Sequence, residues 1–309
     1  MINFRYHVVS LTAVFLALAI GLVVGTAALN GPVADNLQGQ ITALNKDNSN
    51  KRDQISQYRE EINRSQEFAT ELAPTVLNGK LAGRKLVVLA LPNTNDFADG
   101  VVQMLAVAGA TVTAKVTVND KFFDPALEFE LLDLAGQSSN GTISMEGLPL
   151  NSDGVETASA QLALALLQRS GTVQAAPGDV TAVLTAYTKQ GYLAVDEKAV
   201  GGADGTVIIS GAPAVDKDAA KKSQSAVTLA TQFSKNRPLV AAGDGVGDGN
   251  LISAVRGDPT LVKKISTVDN ASSVDGQVAT AMTCVERFMQ NKIGQYGLSG
   301  SSLVPKAGV

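Results

Sequence analysis

Val8 to Leu29 form an apolar run without a charged side chain. A hydrocarbon core takes about 20 helical residues to cross, so the run predicts one transmembrane helix. A signal-peptide core is shorter, about 7–15 residues. Residues 33–72 are polar with a sparse apolar stripe. Leu37, Leu44, Lys51, Tyr58, Ser65 and Leu72 share one position of a seven-residue repeat, and Ile41, Asn48, Ile55, Ile62 and Ala69 share the other. Alternating steps of three and four over about five heptads predict a coiled coil. Gly39 is the only glycine in that stretch, and no proline lies between Pro32 and Pro74.

From Lys85 the pattern changes. Strands are predicted at Lys85–Leu91, Thr111–Val118, Thr206–Ser210 and Pro238–Ala242. Helices are predicted at Asp96–Ala108, Ala126–Leu134, Val155–Arg169, Asp179–Lys189, Lys217–Ser234 and Ser273–Asn291, with Lys221 and Lys222 on the wet side of the fifth. Strands alternating with helices give a Rossmann- or flavodoxin-like α/β fold, a mostly parallel sheet with helices on both faces. A transmembrane barrel would instead show many alternating strands of about ten residues. The expected parts are an anchor (1–30), a coiled-coil stalk (31–73), an extracytoplasmic α/β domain (84–298) and a C-terminal tail (299–309). Residues 137–153, rich in Ser, Gly and Asn, read as a surface loop.

Charge adds direction to this layout. Arg5 is the only charged side chain before the apolar run, and no Lys or Arg follows it until Lys46. Positive charge stays cytoplasmic, so the N-terminus is expected inside a cell membrane and the body outside. Cleavage near Gly25-Thr26-Ala27 or Thr26-Ala27-Ala28 is the alternative, and it also exports the body. Ala17, Gly21 and Gly25 lie four residues apart, and the last two form a GxxxG pattern that lets helix backbones approach in lipid. A stripe as narrow as Leu37, Ile41, Leu44, Asn48, Ile55, Tyr58 and Ile62 does not bury itself alone. It calls for a second copy, a partner's helix or the chain's own body. The polar Asn48 at the seam fixes register and strand number.

The 309 residues carry a net charge of −4, against nucleic acid as the main partner. Chemistry is sparse. Gly243-Asp-Gly-Val-Gly-Asp-Gly-Asn250 follows a strand, but GxGxxG fails in every frame and no Glu closes a calcium loop, so it reads as a turn. No Walker A, HExxH or GxSxG sequence is present, and His7 is the sole histidine. Asp96, Glu128 and Glu130 read as solvated charges. Copper favours soft ligands, and the chain offers Cys284, Met282 and Met289 near its end. Met282 and Cys284 point to different sides of a helix, while Met282 and Met289 share a face that reads as core. No catalytic residue, cofactor or single-chain metal site is expected. A metal site shared between copies stays open.

The opening Arg5-Tyr-His-Val-Val-Ser-Leu-Thr-Ala-Val-Phe-Leu-Ala-Leu-Ala-Ile-Gly-Leu-Val-Val-Gly25 resembles the start of the actinobacterial MctB family. So do Ile265-Ser-Thr-Val-Asp269 and Lys292-Ile-Gly-Gln-Tyr-Gly297. The resemblance implies two different functions. One is a pore-forming outer-membrane protein for copper efflux. The other, from SteB-type relatives, is cell separation and control of cell-wall hydrolases with a membrane partner, SteA. No catalytic motif of the family maps onto this chain. Gly294 to Gly297 reads as a tight turn ahead of a binding element. The expected function is therefore a non-catalytic, oligomerising envelope scaffold or regulator. Copper efflux is the alternative, and an α/β ligand-binding module the second.

Overall fold

The computed structural model describes residues 4–94, 97–139, 141–144, 152–169, 174–196, 198–235 and 237–306. Asp96 and residues 145–151 of the expected surface loop lie outside these. The chain divides into two compact units, Met1–Ser65 and Gln66–Val309.

The first unit is helical. Helix α1 spans Phe4–Leu77 and passes through Gly31 and Pro32, where the sequence marked the end of the anchor. Its window Phe4–Ala27 has a mean hydropathy of 2.6, and none of it is buried within the protein. That length and composition suit a single-pass membrane protein. Thr12 and Thr26 do not spoil it, because each hydroxyl donates back to a backbone oxygen four residues earlier, at Val8 (2.7 Å) and Leu22 (2.9 Å). A hydroxyl satisfied within its own helix tolerates lipid.

The second unit begins with the last turns of α1. Its strands are β1 (Lys85–Ala90), β2 (Thr111–Val118), β3 (Leu193–Val195), β4 (Gly205–Ser210), β5 (Leu239–Gly243), β6 (Ile265–Val268) and β7 (Gln295–Tyr296). They form one open sheet in the order β3-β2-β1-β4-β5-β6-β7. Among the described strands only β3 runs antiparallel to its neighbour. The helices are α2 (Ala98–Val107), α3 (Glu128–Ser138), α4 (Gly154–Leu166), α5 (Pro177–Lys189), α6 (Ala219–Ser234), α7 (Leu251–Gly257) and α8 (Val274–Met289).

The continuous apolar run of β1 follows from burial on both faces. Val87 and Leu89 join one core with Leu131 of α3, Leu162 of α4, Val183 of α5, Leu229 of α6 and Val255 of α7. Leu86, Val88 and Ala90 join the other with Val101 of α2, Ala281 and Cys284 of α8, and Ala73 and Leu77 of α1. The end of α1 is thus part of the body's core. Leu77→Ala is expected to lower unfolding stability by about 2–5 kcal/mol, the usual range for a buried leucine, read from the denaturation midpoint. Leu77 is 0% exposed.

Several elements depart from expectation. β3, β6, β7 and α7 carry no clear pattern in the sequence. The fourth helix stops at Leu166, because Leu167 pairs with Ala203 as an isolated bridge. Lys222 is not on a wet face: its side chain is 13% exposed and bridges two carboxylates.

Candidate functional site

A parallel sheet of this kind offers a crevice where strand order reverses, outside the carboxyl ends of adjacent strands. Here β1 connects through α2 to β2 on one side, and β4 through α6 to β5 on the other. Leu91, Pro92 and Asn93 after β1 face Gly211, Ala212 and Pro213 after β4 across a small cleft partly open to solvent. The two strand ends crowd together. A β-carbon on Gly211 would lie 2.3 Å from the Asn93 oxygen.

The rim chemistry is self-contained. Lys222 Nζ donates to Asp120 Oδ2 (2.6 Å) and Asp216 Oδ2 (2.7 Å). The bond to Asp120, then that to Asp216, pushes the lysine pKa up, and the bond from Lys222 holds Asp216 down. One cation between two carboxylates leaves the trio at −1, a poor seat for phosphate. Among the described residues the cleft shows no imidazole, and of the glycine-rich turn Gly249 contributes to its lining.

The glycine-rich loop lies next to this cleft and behaves as a turn. Gly245, Gly247 and Gly249 all have positive φ, and Asn250 caps α7 by accepting from the Ile252 N–H at 2.8 Å. Glu128 and Glu130 sit in the first turn of α3, where negative charge suits the helix dipole.

The two late sequence motifs meet. Asp269, at the end of β6, is 2% exposed. Its carboxylate accepts from Arg256 Nη1 (2.6 Å) and from the backbone N–H groups of Leu298 (2.6 Å) and Ser299 (2.9 Å). Arg256 also donates to Thr267 Oγ1 and to the Tyr296 carbonyl. Gly297 adopts φ +107°, and a β-carbon there would lie 2.0 Å from Asp269 Oδ1. The Gly294–Gly297 stretch therefore forms β7 and a glycine turn held by a buried carboxylate. Tyr296 Oη donates to Glu286 Oε2 at 2.6 Å.

The seam residues expected on the stalk all lie on α1 and all face outward. Leu37, Ile41, Leu44, Ile55, Tyr58 and Ile62 are 50–67% exposed, and Asn48 is exposed beside them. This is a row of large apolar side chains with nothing from the described chain over it. Within the anchor, a β-carbon on Gly21 or Gly25 would touch nothing within 4 Å. A mid-helix glycine costs about 0.5–1 kcal/mol relative to alanine, and no intrachain contact here requires one. At 100° per residue, Gly21 and Gly25 both fall about 160° around α1 from Ile41. The small-residue face with Ala17 and the apolar row thus look in different directions. The sequence alone showed both features but not their mismatch.

The family profile described as "Copper transport outer membrane protein, MctB" matches residues 1–305. The chain belongs to the MctB family. It is 27% identical over 309 residues to the copper transporter MctB of Mycobacterium tuberculosis (strain ATCC 25618 / H37Rv), covering 96% of each chain. The Mycobacterium bovis protein of the same name gives the same figures. The Mycobacterium leprae copper transporter MctB is 27% identical over 311 residues, again with 96% of each covered.

Cys284 is fully buried in the core, and burial pushes its thiol pKa up, away from the thiolate a metal needs. Met289 is 48% exposed, and its sulfur accepts from Arg84 Nε at 3.2 Å. Met282, on α8, is half-buried against the core that holds Cys284. His7 lies on the exposed anchor. Among the described residues no three His, Cys, Asp or Glu side chains converge as a metal-binding group.

Proposed function

We propose that this MctB-family protein is a membrane-anchored envelope scaffold or regulator that acts by association, without catalytic turnover. One observation carries the reading: the uncovered apolar row of α1, from Leu37 to Ile62, beyond a helix long enough to span a membrane. The anchor fixes the protein in the cell membrane with its N-terminus cytoplasmic. The row recruits a helix, from a second copy or from a membrane partner of the SteA kind. The α/β body presents a folded surface outside the cytoplasm in envelope maintenance or cell separation.

Copper transport is the second reading, favoured by the names of the mycobacterial relatives. One helix encloses no path, and the described strands form one open sheet, so transport would run through an assembly. Purified full-length protein in planar bilayers separates the two. Scaffold action predicts no copper-dependent conductance and an unchanged copper tolerance when Met289 is replaced by leucine. Steady ion conductance by the pure protein would overturn it. A C-terminal tag reachable only from the cytosol would overturn the topology.

A further inference from the structure

We infer that residues 37–62 of α1 zip to the same residues of a second copy as a parallel, in-register, two-stranded coiled coil. The inference rests on the association reading above and names the partner and its geometry.

The steps along the row set the heptad. Ile41, Asn48, Ile55 and Ile62 fall at position a, and Leu37, Leu44, Lys51 and Tyr58 at position d. β-Branched residues at a with leucine at d favour two parallel strands, and a lone asparagine at a selects register by pairing with its own copy. Asn48 meets Asn48 only when the two chains are parallel and unshifted.

The flanks agree. Position g carries Asp47 and Glu61, and position e carries Arg52 and Arg59. In a parallel pair, position g faces the e position five residues on in the other chain, so each Asp47 meets the other chain's Arg52. In an antiparallel pair g faces g and e faces e. In the register that sets Asp47 opposite Glu61, Arg52 would meet its own copy, placing like charges together on both flanks. Lys51 is the one charge on the row. Its ammonium already reaches back to Asp47 Oδ2 at 2.8 Å, which draws it off the row toward the flank and raises its pKa.

Membrane geometry gives an independent reason. Two copies anchored by the same N-terminal span in one membrane emerge from it in the same direction, so their rows run parallel.

The test uses the full chain in membranes, with Cys284 left in place because it is buried. Cysteine is introduced singly as Ile41→Cys, Ile55→Cys or Ile62→Cys, with Asp53→Cys on the outer face as control. A short bis-maleimide should give a product of twice the chain mass at each of the three row positions and little at the fourth. Asp47→Arg should weaken the product, and adding Arg52→Asp to the same chain should restore it. A crosslink that forms only when Ile41→Cys and Ile62→Cys chains are mixed would overturn the parallel register. A product carrying a different protein would overturn the second copy and leave the association reading standing. Single-chain mass at every position would sink both.

Discussion

Replacing Ile55 by proline is expected to separate the proposed α1 pair while the α/β body stays folded. Proline lacks the N–H that bonds to residue 51, and its ring clashes with that carbonyl, at a cost of about 3 kcal/mol or more in a helix interior. A pair of chains carries the lesion twice, about 6 kcal/mol, equivalent to roughly a ten-thousandfold weaker association. Residue 55 belongs to the unit Met1–Ser65, whereas both hydrophobic cores lie within Gln66–Val309. Sedimentation of the detergent-solubilised protein should therefore fall to single-chain mass with no change in the body's thermal unfolding. A variant that keeps the wild-type mass and the wild-type set of captured partners would remove the basis of the scaffold reading.

Asp269→Ala acts on the other unit and should be among the most damaging single changes in it. The carboxylate is buried and accepts from Arg256, Leu298 N–H and Ser299 N–H. Truncation leaves a guanidinium whose side chain is only 16% exposed without its counter-charge. Removing one member of a buried pair costs about 3–5 kcal/mol, set against a total stability of about 5–15 kcal/mol for a domain. The urea midpoint should drop steeply. Asp258→Ala is the matched control. That carboxylate accepts from two backbone N–H groups at the start of a short turn, which holds its pKa low, and among the described residues it has no ion-pair partner. Its loss should cost about 1 kcal/mol, as for a cap. Equal effects of the two substitutions would mean that the Arg256–Asp269 pair adds nothing beyond ordinary hydrogen bonds.

The sequence revealed those elements whose burial leaves a pattern. β1 reads as a run because both its faces are covered, and α8 is announced by Ser273, which caps it by accepting from the Gly276 N–H. β6 escaped because Ser266 and Thr267 look like loop residues, although both are 0% exposed. β7 has two residues, too few for any periodicity, and α7 has seven, directly after a glycine-rich loop. The outward row on α1 was readable because heptad spacing is local. The Asp269 cluster was not, since its partners come from residues 256, 267, 296, 298 and 299, which only the sheet brings together. Nor does a lysine in a polar helix signal that Asp120, 102 residues earlier, will hold it.

Because β7 follows every other strand of the sheet, the donors to Asp269 arrive late. A chain made from its N-terminus presents residues 296–299 after nearly all the rest. Until then the aspartate has only Arg256 to answer it, and the far edge of the sheet stays unsealed. Closure of the sheet at its β7 edge therefore waits on residues 296–299.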